Sequence, residues 1–228
     1  MRLVSALVIL ALTAACGRPM TQGEMAFAQT IQGSELDLSR VRLRDGAPTR
    51  AVTFRHKVRP RTSCRERILP PLESDQVITS KPAAVTFFNT VLFDRDWYLD
   101  DYMPDYPGQI SLVEAMLLAH ELTHVWQWQN RAKTGYSPLR AASEHRYSDD
   151  PYLFELSEGR SFADFGFEQQ GTIVEEFVCC RALDPTAPRT RRLHAMISEA
   201  MPVAPLENSR ANDVLMPWRG VKIPGICS

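Results

Sequence analysis

The stretch "HELTHVWQW", residues 120–128, follows the apolar run "LVEAMLLA" (112–119) and carries two histidines four positions apart around a glutamate. No proline or glycine interrupts residues 111–131, and Ser111 with Glu114 has the spacing of a capping box, so the segment reads as one helix beginning at 111. Each helical residue advances about 100°, which puts His120 and His124 about 40° apart on one face and roughly 6 Å apart along the axis. Both imidazoles can then reach a single ion, and Zn²⁺ takes neutral histidine nitrogens at about 2.0–2.1 Å. Glu121 falls beside that ion, where a carboxylate can take a proton from water and pass it to a leaving amine. Gln127, within about 20° of His120 around the helix, is placed to support the site. Trp126 and Trp128 point to different sides and read as core packing.

A packed helix with two hydrogen-bonded histidines would show the same residues, so the reading turns on a third ligand. The segment "GFEQQGTIVEEFVCCRAL", 166–183, supplies one: it reads as a helix with apolar positions at Ile173, Val174, Phe177 and Val178, ending before Pro185. Counted from Glu168, the residues Thr172, Glu175 and Cys179 lie within about 40° of it and Glu176 about 80° away. One face thus presents Glu168, Thr172 and Glu175, and Glu168 is the expected third ligand. His56 and His194 lack a spaced partner and read as surface or loop residues. His145, in "ASEHRYSDD" between the two helices, is the rival third ligand, or with Arg146 or Tyr147 a stabiliser of an oxyanion.

With its flanks "TQGEMAFAQTIQGSELDLSRVRL" and "DPYLFELSEGRSFADFGFEQQGTIVEEF", the motif resembles zinc metallopeptidases of the Vgr-related group. It is similar more distantly to the HExxH core domain of contractile injection system toxins. The likeness covers roughly residues 20–180. Related gluzincin families carry E-x-x-A-D on the second helix, the Glu being the third ligand and the Asp orienting a histidine. The matching positions are Glu168, Gly171 and Thr172, so the ligand is kept and the orienting Asp has become Thr. Glu175, one turn further on the same face, can substitute, as can Asp164 or Asp149.

With 228 residues, 44% of them hydrophobic, and a net charge of −1, the chain can build one ordinary core and offers no basic field for nucleic acid. Arg2 ahead of "LVSALVILAL" (3–12) and the small residues before Cys16 read as a secretory signal, too short to span a bilayer. "LTAACG" resembles a bacterial lipoprotein signal, with Thr13 where Leu is commonest. The resemblance implies residues 1–15 as signal peptide, acyl chains on Cys16, and, with Gly17 next, an outer-membrane address facing the periplasm or the exterior. In an oxidising compartment Cys64, Cys179, Cys180 and Cys227 read as disulfides; a bond between neighbours 179 and 180 would be strained, which leaves two pairings joining the "CC" to Cys64 and Cys227.

Elsewhere, residues 21–33 read as a helix with Thr21 and Glu24 as a capping box and Gly33 as its stop. "DLSRVRLRDG" enters a strand, 55–75 is an irregular loop, and "AAVTFFNTVLF" (83–93) is one or two strands. "PYLFELSEGRSFADFG" reads as a hairpin turning at "SEGR"; its edge, or that of 83–93, offers a place for an extended peptide. "TAPRTRRLHAMISEAM" is a further helix, followed by a Pro-rich tail.

The expected architecture for 16–228 is a single α+β zincin-like domain, HExxH helix and glutamate helix packed on a small β-sheet, with the helix and tail of 186–228 closing it. The expected function is that of a membrane-anchored zinc peptidase with Glu121 as general base, acting on a peptide or protein. The alternatives are an inactive zinc-stabilised lipoprotein docking an envelope or secretion-apparatus partner, and a metal-free structural lipoprotein stapled by disulfides.

Overall fold

The computed structural model describes residues 17–228 apart from 57, 148–149, 157–158 and 209–211, and apart from the side chains of 54, 56, 145–147 and 208. The signal segment 1–15, the lipidation site Cys16 and the candidate Asp149 lie outside the described residues, as do the side chains of His56 and His145. The elements run α1 (Gln22–Gln29), β1 (Arg42–Asp45), β2 (Val52–His56), α2 (Cys64–Arg67), β3 (Gln76–Ser80), β4 (Ala84–Phe87), β5 (Thr90–Phe93) and β6 (Gln109–Ser111). They continue as α3 (Leu112–Gln129), α4 (Arg131–Thr134), α5 (Pro138–Tyr147), α6 (Phe167–Leu183), α7 (Pro188–Ser198) and β7 (Asp213–Leu215). The fold is mixed α+β.

The 83–93 segment is a hairpin: β4 pairs antiparallel with β5 through a turn at Phe88, whose φ of 57° is left-handed. Strand β1 joins β5 in parallel, so the sheet order is β1-β5-β4 and β4 forms an edge. Leu43, Val91 and Phe93 turn inward and are fully buried. Against this sheet lies α3, buried on nearly every side, and α6 packs along it. Leu118, Leu122 and Val125 of α3 are fully buried, each contributing roughly 1.5–3 kcal/mol relative to exposure. One hydrophobic cluster extends from Met20 to Cys227, and α7 packs its Leu193 and Ile197 into it beside α6. Of the two disulfide pairings open to the chain, the fold forms Cys64–Cys179 and Cys180–Cys227. No helix of the described residues is long and apolar enough to cross a membrane.

The Thr21/Glu24 capping box forms, but α1 stops at Gln29, short of Gly33, where Thr30 turns its hydroxyl onto Phe27 O. Three further expectations fail. Ser111 makes no capping bond through its side chain; it instead ends strand β6, paired with Leu215 of β7. Second, no strand forms among the described residues of 150–166. Backbone carbonyls there are taken by side chains instead, Leu153 O by Gln169 and Leu156 O by Arg192, so no partner strand is needed. Third, the 55–75 loop is partly ordered: Ser63 and Glu66 form a capping box that starts the single turn α2, and β2 pairs with β3 across it.

Candidate metal centre

Helices α3 and α6 meet at Gly171. A Cβ at that position would lie 2.7–2.9 Å from three atoms of the His120 ring, so only glycine admits this approach. Glu168, one turn back on α6, thereby faces both histidines. Its Oε2 is 3.3 Å from His120 Nε2 and 3.5 Å from His124 Nε2, and the two Nε2 atoms are 3.0 Å apart. All three residues are buried. His120, His124 and Glu168 can hold a metal ion between them.

The rings are oriented from behind. Gln127 donates its amide N–H groups to Phe167 O at 3.1 Å and to Gln170 Oε1 at 2.9 Å, while Gln170 donates to Phe165 O at 2.9 Å. That chain leaves Gln127 Oε1 to accept from His124 Nδ1 at 2.8 Å. The tautomer follows from the network: Nδ1 carries the proton and Nε2 keeps its lone pair for the ion. His120 Nδ1 lies 3.3 Å from Glu175 Oε1, within ion-pair reach though off the line of a good hydrogen bond. Glu175 Oε2 in turn accepts from Arg65 Nη1 at 2.7 Å.

The site is built for positive charge. Burial works against protonating His120, but Glu175 and Glu168 outweigh it and push the imidazole up to about 10; burial likewise opposes, and Glu168 overcomes, an upward shift at His124. Burial would raise Glu175, yet Arg65 and His120 hold it below the usual carboxylate range. A metal ion satisfies the same charge demand as a proton, so the two compete for the histidine nitrogens.

Glu121 is buried, and its Oε2 accepts from Thr86 Oγ1 of the edge strand β4 at 2.7 Å. Thr172 bonds back to Glu168 O at 3.0 Å and does not reach a histidine, so it cannot take the place of the missing Asp. Asp164 is likewise committed elsewhere, accepting from Ser161 N and Oγ. His194 bonds Ala204 O at 3.0 Å and packs on Phe177. Trp126 sits in the core against Phe162; Trp128 is partly buried between Phe88 and the Arg131 guanidinium.

Several residues of this centre escaped the sequence reading. Glu144 of α5 accepts from the N–H groups of Phe167 and Glu168 at 2.9 and 3.0 Å, capping the helix that carries Glu168. Tyr152 and Tyr136 place their rings 6.1 and 6.3 Å from those of His120 and His124. Burial first, and then Glu168 and Glu121, raise both phenols, which stay protonated. Tyr152 and Thr172 also line a small, open pocket of about 40 Å³ beside Arg65 and Glu176. No spacing signal ties 65, 86, 136, 144 or 152 to the motif; only the Ser63/Glu66 capping pattern hinted at structure near Arg65.

No protein-family model matches the chain. Among curated proteins it is similar to the type VI secretion system spike protein VgrG2b of Pseudomonas aeruginosa, with 28% identity over 165 residues. Among solved structures it is similar to the effector domain of Pseudomonas aeruginosa VgrG2b, at 23% identity and a TM-score of 0.48, over 84% of this chain and 85% of that one. The matched segment is 72% of this chain and 13% of the spike protein, so the similarity is distant and spans a small part of that protein.

Proposed function

We propose that the chain is an exported zinc-dependent peptidase with a zincin-like fold, working in the context of a bacterial secretion apparatus. The observation that carries the reading is the triangle of donor atoms. A tetrahedral zinc with ligands at about 2.0–2.1 Å separates those ligands by about 3.3 Å. The three separations here are 3.0, 3.3 and 3.5 Å, and the Gln127 contact sets the His124 tautomer to offer Nε2. Two imidazoles and one carboxylate also suit a catalytic rather than a structural zinc, since such sites keep one position open.

When bound, zinc supplies Lewis acidity that lowers the pKa of water and polarises a carbonyl. Glu121, anchored through Oε2 to Thr86, has Oε1 to accept the proton of an attacking water and deliver it to the departing amine. Gln127 holds the His124 imidazole against rotation, and Glu175 sets its charge beside His120 Nδ1. The neutral Tyr136 and Tyr152 are donors for negative charge developing on the carbonyl oxygen. The two disulfides support an oxidising compartment, and the spike-protein similarity supports the secretion setting. The lipid anchor on Cys16 rests on the sequence signal.

Zinc content by mass spectrometry tests the centre, with His124→Ala and Glu168→Ala beside the wild type. About one zinc per chain, lost in both variants, is expected. A fluorogenic peptide mixture then tests the chemistry, with Glu121→Gln expected to keep the zinc and to lose about 10²–10⁴ in rate. Absence of zinc in the wild type, or equal turnover by Glu121→Gln, refutes the reading.

A further inference from the structure

Arg65 lies far from the motif in sequence, yet it reaches the metal centre in one step through Glu175. That carboxylate contacts His120 Nδ1 with one oxygen and Arg65 Nη1 with the other. It thereby supplies the contact to His120 that the Thr172 position does not. The guanidinium also lies over the Tyr152 ring at 5.7 Å, and Tyr152 faces His120.

What holds Arg65 there is the attachment of α2 to α6. A single four-residue turn cannot sustain itself, because helix nucleation is unfavourable. Three contacts tie it to α6. The Cys64–Cys179 disulfide fixes the first residue of the turn to α6, one helical turn past Glu175. The N–H groups of Cys64 and Arg65 donate to the buried Glu176 carboxylate at 3.0 and 3.1 Å. Arg65 itself closes on Glu175 at 2.7 Å. Of these only the disulfide is covalent, and it links positions 115 residues apart; without it α2 is held by non-covalent contacts alone, these bonds together with the buried Ile68 and the bond from Arg67 to Ile226 O.

We propose that Arg65 is a positioning residue of the metal centre and that the Cys64–Cys179 disulfide, by seating Arg65 on Glu175, makes metal binding depend on the oxidation state of the chain. The inference rests on the zinc reading above. Reduction by a dithiol transfers two electrons and two protons: the sulfur–sulfur bond breaks, Cys64 and Cys179 become thiols, and the dithiol becomes a disulfide. Both cysteines are fully buried, so the decision falls at folding. A chain folded in a reducing compartment lacks the tether and binds zinc weakly; one folded in an oxidising compartment binds it tightly.

The test is zinc affinity of the oxidised full chain, measured by competition with a chromophoric chelator. It compares the wild type with Arg65→Met, Arg65→Lys, Cys64→Ser/Cys179→Ser, Cys180→Ser/Cys227→Ser and His124→Ala. Arg65→Met and Cys64→Ser/Cys179→Ser should each weaken zinc by about 10- to 100-fold, the range for losing a partner behind a ligand. Combining them should cost little more than either alone, because both act through one contact. Arg65→Lys, which keeps a cation at Glu175, should recover part of the affinity. Removing the other disulfide reaches α2 only through the bond from Arg67 to Ile226 O, keeps the Cys64 tether and the Arg65–Glu175 pair, and should leave zinc affinity close to wild type. Unchanged affinity in Arg65→Met or in Cys64→Ser/Cys179→Ser overturns the inference, as does an equal loss on removing Cys180–Cys227, which would mean that the disulfides only support the fold. If the wild type binds no more zinc than His124→Ala, the zinc reading falls and this inference with it; tight wild-type binding lost in His124→Ala but kept in Arg65→Met removes this inference alone.

Discussion

Replacing Gly171 by alanine should separate the metal site from the fold. In a helix interior alanine is better than glycine by about 1 kcal/mol, so on propensity alone the variant should be more stable. The added Cβ, however, lies 2.7 Å from His120 Cε1, and ordinary contact begins at 3.4 Å, so the ring must retreat by about 0.7 Å. Ligand distances at a metal tolerate only about 0.2 Å, so the retreat takes His120 out of coordination or distorts it. The expected outcome is a metal-free chain that melts near the wild-type temperature and binds zinc at least about 100-fold more weakly. At a free zinc concentration of about 100 times the wild-type Kd, the wild type gains about 2.7 kcal/mol and the variant about 0.4 kcal/mol. For a chain of this size that is roughly 5–10 °C against about 1 °C in a thermal melt with and without zinc. An equal zinc-dependent shift in Gly171→Ala would refute the argument that the α3–α6 approach demands glycine. The alanine in the corresponding place of the E-x-x-A-D pattern makes that outcome a sharp alternative.

Thr86→Val removes the hydroxyl that holds Glu121 Oε2, and should slow peptide turnover by roughly tenfold while zinc content stays at wild type. Gln127→Leu leaves His124 Nδ1 without its acceptor, so chelator competition should show zinc weakened by about 10- to 100-fold, and denaturant titration a loss of about 1–3 kcal/mol. Glu66 gives a pH dependence remote from the metal. Burial raises its carboxyl, but bonds from Ser63 and Thr62 and the Arg59 charge outweigh it and hold it below the usual 4.5. A depressed folded value means stability present above 4.5 and lost as the pH falls through the folded value, so Glu66→Gln should flatten that acid limb. An unchanged acid limb in urea titrations between neutral and strongly acidic pH would refute that assignment.

The motif helix, the glutamate helix and the 83–93 hairpin were legible because their signals are local. An uninterrupted apolar run, a two-histidine spacing and a β-branched stretch each act within a few residues, and helix geometry alone brings His120 and His124 onto one face. The face count on 166–183 put Glu168 and Glu175 together by the same reasoning. Signals that depend on a partner element misled. The Ser111/Glu114 spacing yielded to a strand pairing with residue 215, and the hairpin expected at 151–166 to side chains that bond its carbonyls.

By itself, then, the sequence determined which residues share a helix face and that the adjacent cysteines must bond outward. Only the tertiary structure decided which cysteine takes Cys64, that Gly171 lets α6 close on His120, and that Glu175 rather than Thr172, Asp164 or Gln127 backs that ring. It also seated Arg65, Thr86 and Glu144 around the centre. The physical reason is distance along the chain: helical periodicity fixes relations over a few residues, whereas these contacts join positions 24 to 115 residues apart, and packing of the whole core sets them.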